Sequence, residues 1–313
     1  MRPVVAYGAF LLVIFWPYRG AAWCQMVTRA MPTFDDPCPL PDRERGIFPI
    51  AWRRPCTSLS ISEALPPRSI SIDETLDTLQ GGIAAWVEVD CGGGRKPGLR
   101  VEVLAARNAC ERAVHHPKGA NVHALIFVQE GWSRERGHDP RAFAITYVWH
   151  EMNSGEILDV DIEINEQSKR YAICPEEGCR DGRIDLPNVL THEMGHYFGL
   201  AHSPDDPEAT MYAAAEPGET SKRSLAEDDI AGICTIYGPD ALSEACDPTP
   251  KGGLDLSCTG EKGCGCMLFR RESSPFSIGL FAFLTLVLLL KRWGAAREQA
   301  KTLPPGSGRA RPE

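Results

Sequence analysis

His192-Glu193-Met194-Gly195-His196-Tyr197-Phe198-Gly199-Leu200-Ala201-His202 is the stretch whose reading decides how this chain folds. Side chains four residues apart on a helix project from one face, so His192 and His196 present two imidazoles to one point, a pairing that suits Zn²⁺. Glu193 stands beside them without being a ligand. Gly199 lacks a Cβ and can take the left-handed conformation that ends a helix, and the sharp turn returns His202 as a third imidazole. Three protein ligands leave a fourth position open, which marks a catalytic rather than a structural zinc site. A zinc-activated water placed there can lose its proton to Glu193, acting as general base, and attack a polarised carbonyl.

Outward from this motif, Asp185 is a candidate N-cap and Pro187 suits the first helical turn. Leu186, Val189, Leu190, Met194 and Tyr197 form the face turned from solvent. Upstream, Trp52–Ile61, Leu99–Leu104, Val122–Gln129, Ala142–Trp149 and Ile157–Ile164 are rich in β-branched and aromatic residues and read as strands. Ser71 starts a helix, with Glu74 completing a capping box. Its Ile72, Leu76, Leu79, Ile83 and Trp86 share one face and predict packing on a sheet. The stretch from Ala105 to Asn121 reads as an insertion loop. Downstream, Ser224 and Glu227 form a second capping box before a last helix whose Ile230 and Ile233 point inward. The fold class expected is α+β, a twisted mixed sheet with a first packing helix, a zinc-binding helix and a C-terminal helix.

The surroundings of the motif resemble one family. The extended histidine string matches the metzincin metallopeptidases, which also place a methionine in a tight turn beneath the zinc, and Met211 stands nine residues past His202. Ser203, directly after the third histidine, resembles the matrixin branch. So do the segment Gly155–Asn165 and the pair of segments Arg223–Ile233 and Ile236–Gly238, which resemble those of bacterial matrixin-like proteins. The resemblance covers residues 46 to 239 and is strongest from 155 onward. It implies a metzincin fold and a zinc-dependent endopeptidase with a protein or peptide substrate. Met211 would support the site from below, and Tyr212 is placed where matrixins build the wall of the S1′ pocket. Related matrixins bind Ca²⁺ near the segment where Asp159, Asp161 and Glu163 alternate with apolar residues on one strand face. Those three are therefore calcium candidates, the alternative being a solvated strand face. His115, His116, His123, His138 and His150 read as surface or hydrogen-bonded side chains rather than ligands.

The two ends speak to location. Met1-Arg2, the apolar run Val4–Trp16 and Gly20-Ala21-Ala22 have the layout of a secretory signal peptide over residues 1–22, with an uncleaved anchor helix as the alternative. A short N-terminal segment, 23–45, precedes the catalytic region 46–239. Residues 240–263, rich in Pro, Gly and small polar residues, read as a linker. Within 264–293, Cys264 and Cys266 are followed by the apolar run Phe276–Leu290 and the basic pair Lys291-Arg292. At about 1.5 Å per residue that run spans roughly 22 Å, short for a membrane helix. The arrangement resembles the MYXO-CTERM sorting segment, which implies a sorting protease as partner and membrane contact before processing; an ordinary single-pass anchor is the alternative. Residues 294–313 read as a disordered tail. Together the ends predict an exported chain, secreted or held at the cell surface in the outer envelope.

Twelve cysteines in an exported chain point to disulfides. With Cys24, Cys264 and Cys266 assigned to targeting segments, nine remain, an odd number. Cys174 and Cys179 are spaced to close a small loop. Cys56 and Cys91 are candidates to join the first strand to the first helix. Cys38-Pro-Leu-Pro-Asp42 partly resembles the matrixin inhibitory segment, in which a cysteine blocks the zinc, with a disulfide as the alternative. The net charge of −9 argues against a nucleic-acid partner. Two other functions fit the motif: a surface binding or adhesion module on a zinc scaffold, and a zinc amidase of non-protein substrates. An intact Glu193 speaks against the first, because a structural site has no use for a base.

Overall fold

A computed structural model describes residues 23–29, 38–238 and 246–260. The signal-like segment 1–22 lies outside them, as do Cys264, Cys266, the apolar run Phe276–Leu290, the basic stop and the tail. Along the chain run β1 (Cys24–Gln25), β2 (Cys56–Ile61), α1 (Ile72–Val87), β3 (Arg100–Val103), β4 (Ala124–Val128), β5 (Ala144–His150) and β6 (Ile157–Asn165). They are followed by β7 (Tyr171–Ala172), β8 (Ile184–Asp185), α2 (Leu186–Tyr197), β9 (Leu200–Ala201) and α3 (Glu227–Ile236), with a 3-10 turn at Ser221–Arg223. This is the mixed α+β architecture that the sequence predicts.

Five strands form one sheet in the order β3-β2-β4-β6-β5, parallel except for β5, which runs antiparallel to β6 along the edge. β2 begins at Cys56, four residues later than its composition suggests, because Pro55 has no N–H to give to a ladder. Alternation along the strands sorts the two faces. Leu125 and Phe127 of β4, with Val160, Ile162 and Ile164 of β6, join the main core beneath α1 and α2. Ala124, Ile126 and Val128 point the other way into a smaller cluster with Trp132 and Cys110.

The expected capping box holds α1: Ser71 Oγ accepts from Glu74 N at 3.2 Å, and Glu74 Oε2 accepts from Ser71 N at 3.0 Å. Thr75, Leu79, Ile83 and Trp86 are its buried residues toward the core. Gly82 lets α1 approach α2, since a Cβ there would touch the Leu190 and Thr191 backbone at 3.4 Å. Trp86 Nε1 donates to Thr191 O at 2.8 Å and fixes the crossing. α3 departs from expectation. Ser224 and Glu227 form no capping box; the helix starts with Ala226 as N-cap, and the Asp229 carboxylate reaches back to Ala226 N at 2.9 Å. An alanine has no side-chain acceptor, so the carboxylate alone supplies the cap. Asp229 is drawn there because it also binds the turn at Met211.

Five disulfides tie the described chain: Cys24–Cys38, Cys56–Cys246, Cys91–Cys234, Cys110–Cys258 and Cys174–Cys179. The small loop at Cys174 is as expected. The Cys56–Cys91 pairing is not, because parallel pairing of β2 with β3 carries Cys56 toward the downstream segment while the end of α1 meets α3. Cys24, set aside with the targeting segment, sits in β1, pairs with β9 and is 2% exposed. It takes Cys38 as partner, which resolves the odd count and leaves Cys38 no thiol with which to block a metal. The described part of the 240–263 stretch, residues 246–260, is bound to the domain by Cys246 and Cys258 and by backbone bonds between Asn121, Gly253 and Asp255.

Candidate active site

α2 is set by its first residues. Asp185 accepts from Asn188 N at 3.0 Å as N-cap, and Pro187 occupies the first turn. The apolar face read from the sequence packs into the core: Leu186, Leu190, Met194 and Tyr197 are each fully buried, and Val189 nearly so. At the far end Gly199 has φ +90°, and a Cβ there would meet Ile50 O at 2.4 Å. Only glycine permits both the left-handed turn and this close approach. The chain then reverses, and His202 returns to the helix face.

His192, His196 and His202 bring one nitrogen each to within 4.8 Å of one another. Their orientation has a cause. His192 Nδ1 donates to Thr210 O at 2.6 Å and His196 Nδ1 donates to Leu200 O at 2.9 Å, which fixes both tautomers with the Nε2 lone pair outward. His196 Nε2 and His202 Nε2 lie 3.1 Å apart. Three neutral imidazoles whose nitrogens converge on one point are a donor set that fits Zn²⁺. Burial keeps all three rings neutral, as a ligand must be. His192 lies well below the ordinary imidazole value through burial, then the neighbouring His196 and His202, with the Lys222 ammonium adding to the effect. His196 is lowered by burial, and His202 is lowered to about 3 by burial and by His196.

Glu193 is buried, and burial raises its carboxyl to about 7, partly offset by a hydrogen bond from Thr146. Thr146 Oγ1 donates to Glu193 Oε2 at 2.5 Å from β5, across the cleft. Sequence reading passed over Thr146; its only signal is its place on the strand among residues that face the helix. Met211 is fully buried beneath α2. A Cβ at Gly195 would meet Met211 Sδ at 2.1 Å and Trp86 Cζ2 at 2.8 Å, so the glycine between the two helix histidines is a steric requirement of this methionine. The turn is held by Asp229, which accepts from Thr210 N at 2.7 Å and Met211 N at 3.1 Å. Tyr212 lines the cleft next to it. That cleft, about 1110 Å³, runs between α2 and the edge strand β5, and Ala144, Thr146 and Val148 line it from the strand.

Asp159, Asp161 and Glu163 are fully buried on the opposite face of the sheet, so this strand face is not solvated. All six of their oxygens accept from protein donors. Asp159 takes His123 Nδ1 at 2.6 Å and His115 Nδ1 at 3.0 Å. Asp161 takes the amides of Ala124 and Val114, and Glu163 takes Arg136, Ala113 N and His138 Nε2. These carboxylates form a buried hydrogen-bond hub, to which the insertion loop contributes Ala113, Val114 and His115. Although burial opposes it, the two histidines hold Asp159 below its ordinary value. Asp161 is raised well above its own by burial and by Asp159.

Residues 124–238 match the family model described as Matrixin. The chain is 38% identical over 82 residues to Metalloendoproteinase 1-MMP of Arabidopsis thaliana, covering 24% of this chain and 22% of that protein. It is 56% identical over 50 residues to Neutrophil collagenase of Homo sapiens, covering 16% and 10%, and 46% identical over 55 residues to human Matrilysin, covering 18% and 20%. The chain thus spans about a fifth or less of the length of these relatives. Within that span the family model takes in β4, β5, β6, the histidine helix and its return, the methionine turn and α3, and over these elements the chain is similar to the matrixins.

Proposed function

We propose that this chain is an exported zinc-dependent endopeptidase that hydrolyses peptide bonds with Glu193 as general base. The observation that carries the reading is the convergence of His192, His196 and His202 beside the buried Glu193 carboxylate in an open cleft. Zn²⁺ held by the three imidazoles would supply Lewis acidity, polarising a water and the peptide carbonyl. The chain does the rest. Thr146 pins one oxygen of Glu193, leaving the other to take a proton from water. With its carboxyl raised to about 7, Glu193 is poised both to accept that proton and to pass it to the leaving amine. β5 is an edge strand with one side of its backbone unpaired in the sheet order, so an extended peptide can lie along it as an added strand. Met211 keeps α2 in place from below, and Tyr212 serves as the S1′ wall.

Export is supported by the five disulfides, which form and persist in oxidising compartments. In this reading residues 1–22 direct export, and 264–293 place the enzyme at the envelope through a sorting protease. Among the described residues no helix is long and apolar enough to cross a membrane.

The test is cleavage of a denatured protein and a peptide library by the full chain made in an oxidising compartment, with and without chelator. Chelation should abolish cleavage, and Glu193→Ala should lower it about 10³-fold while still binding one zinc. A zinc-loaded Glu193→Ala protein as active as the wild type would rule out the mechanism and favour a binding module.

A further inference from the structure

The cleft also takes in Lys222, whose side chain is only 4% exposed. It belongs to the 3-10 turn Ser221–Arg223, and that turn is anchored on three sides. Lys222 N donates to Asn188 Oδ1 of α2 at 2.7 Å. Arg223 pairs with Asp185 at 2.6 Å and donates to Cys174 O. Thr210 Oγ1 donates to Ser224 O at 3.0 Å, which ties the turn to the methionine loop. These bonds fix the backbone of the turn, and the Lys222 side chain is buried from it with its ammonium paired to Glu219.

The ammonium has three donors, and its ion pair with Glu219 uses one. Glu219 is itself fixed by Glu216 N and Ser221 Oγ, and it does not line the cleft. A desolvated cation with donors to spare is costly until an acceptor reaches it. Asn188, Val189, His192 and Tyr212 line the same cleft. We propose that Lys222 sets the specificity of this cleft, and that the preferred substrate carries an acidic side chain at the residue following the cleaved bond, its carboxylate on Lys222 Nζ.

The inference rests on the peptidase reading for which side of the bond is meant. An aliphatic side chain in that place would bury the ammonium without accepting from it, and sites built to hydrogen-bond a group discriminate strongly against analogues lacking it. A basic side chain would meet like charge.

Peptides identical except for Glu, Gln, Leu or Arg after the scissile bond test this in two ways. The zinc-loaded full chain gives kcat/KM, and the zinc-loaded Glu193→Ala chain gives Kd by calorimetry. Glu should exceed Leu by about tenfold or more in both, and Lys222→Met should invert the order. Glu219→Gln removes the competing carboxylate and should widen the preference for Glu, a readout that survives if Lys222→Met does not fold. Equal or better handling of Leu by the wild type, or a Glu preference unchanged in Lys222→Met or Glu219→Gln, overturns the proposal. If nothing is cleaved but the Glu peptide still binds about tenfold tighter, the pocket assignment stands and the peptidase reading falls. No cleavage and no selective binding overturns both.

Discussion

Two sets of three histidines lie on opposite faces of the same sheet, and only one is built for metal. On the helix side, His192 and His196 give their Nδ1 hydrogens to backbone carbonyls, so their Nε2 lone pairs turn outward beside the His202 ring. On the far side, His115, His123 and His138 each spend a ring nitrogen on a carboxylate of β6. Burial does not mark the ligands: His123 is 2% exposed and His138 8%, whereas His192, His196 and His202 are partly exposed. The difference is what the other nitrogen bonds and whether the free lone pairs share a point. A histidine becomes a ligand through its partners, not through burial or abundance.

The comparison breaks most sharply by removing a ligand. His196→Ala should abolish both stoichiometric zinc binding and cleavage, measured by metal analysis and peptide turnover, whereas His123→Ala should leave one zinc bound. On the far side the loss should appear as stability instead. Asp159→Ala leaves His115 and His123 without their acceptor and should cost about 3–5 kcal/mol in denaturant unfolding, with zinc stoichiometry unchanged in the molecules that remain folded.

The pH dependence sharpens the contrast, because Glu193 and Asp159 shift in opposite directions. Glu193 is raised to about 7, so in metal-free protein the unfolded chain releases its proton near 4.5 while the folded chain keeps it. Its contribution is intact below 4.5 and is lost as pH rises toward 7, about 3 kcal/mol in all. His202 titrates in the opposite sense, so the measurement is the difference between wild type and Glu193→Gln, which should grow across that window. Asp159 is lowered, so its contribution is full above the ordinary aspartate value and disappears only as pH falls through its folded value. The smallest effect is expected at Gly195→Ala. Crowding against Met211 and Trp86 should cost about 1–3 kcal/mol in thermal or denaturant unfolding and weaken zinc retention by shifting the helix.

The helix side was readable in the chain because its determinants are local. Asp185, Pro187, the histidine spacing and Gly199 all act within one helix and its turn, and Ser71 with Glu74 does so for α1. The strands were readable from period-two alternation, with their ends misplaced where Pro55 or a neighbouring strand decided. The far face was not readable. Alternating Asp159, Asp161 and Glu163 look like an exposed strand face until the insertion loop and β4 bring donors from more than 35 residues away. Lys222 and Thr146 escaped for the same reason, since neither belongs to a local pattern. Asp229 shows how a distant demand overrides a local one: the Met211 turn claims its carboxylate, and α3 starts where that carboxylate, not Ser224, can cap it.

Three of the crosslinks join distant parts of the chain: Cys91–Cys234 is separated by 143 residues, Cys110–Cys258 by 148 and Cys56–Cys246 by 190. During vectorial delivery into an oxidising compartment, Cys56, Cys91 and Cys110 arrive together, long before any of their proper partners. Oxidation in order of arrival would join them to one another, and reaching the native set would then require thiol–disulfide exchange. Maturation of this protein should therefore depend on an isomerase, and on how long its early thiols are kept reduced.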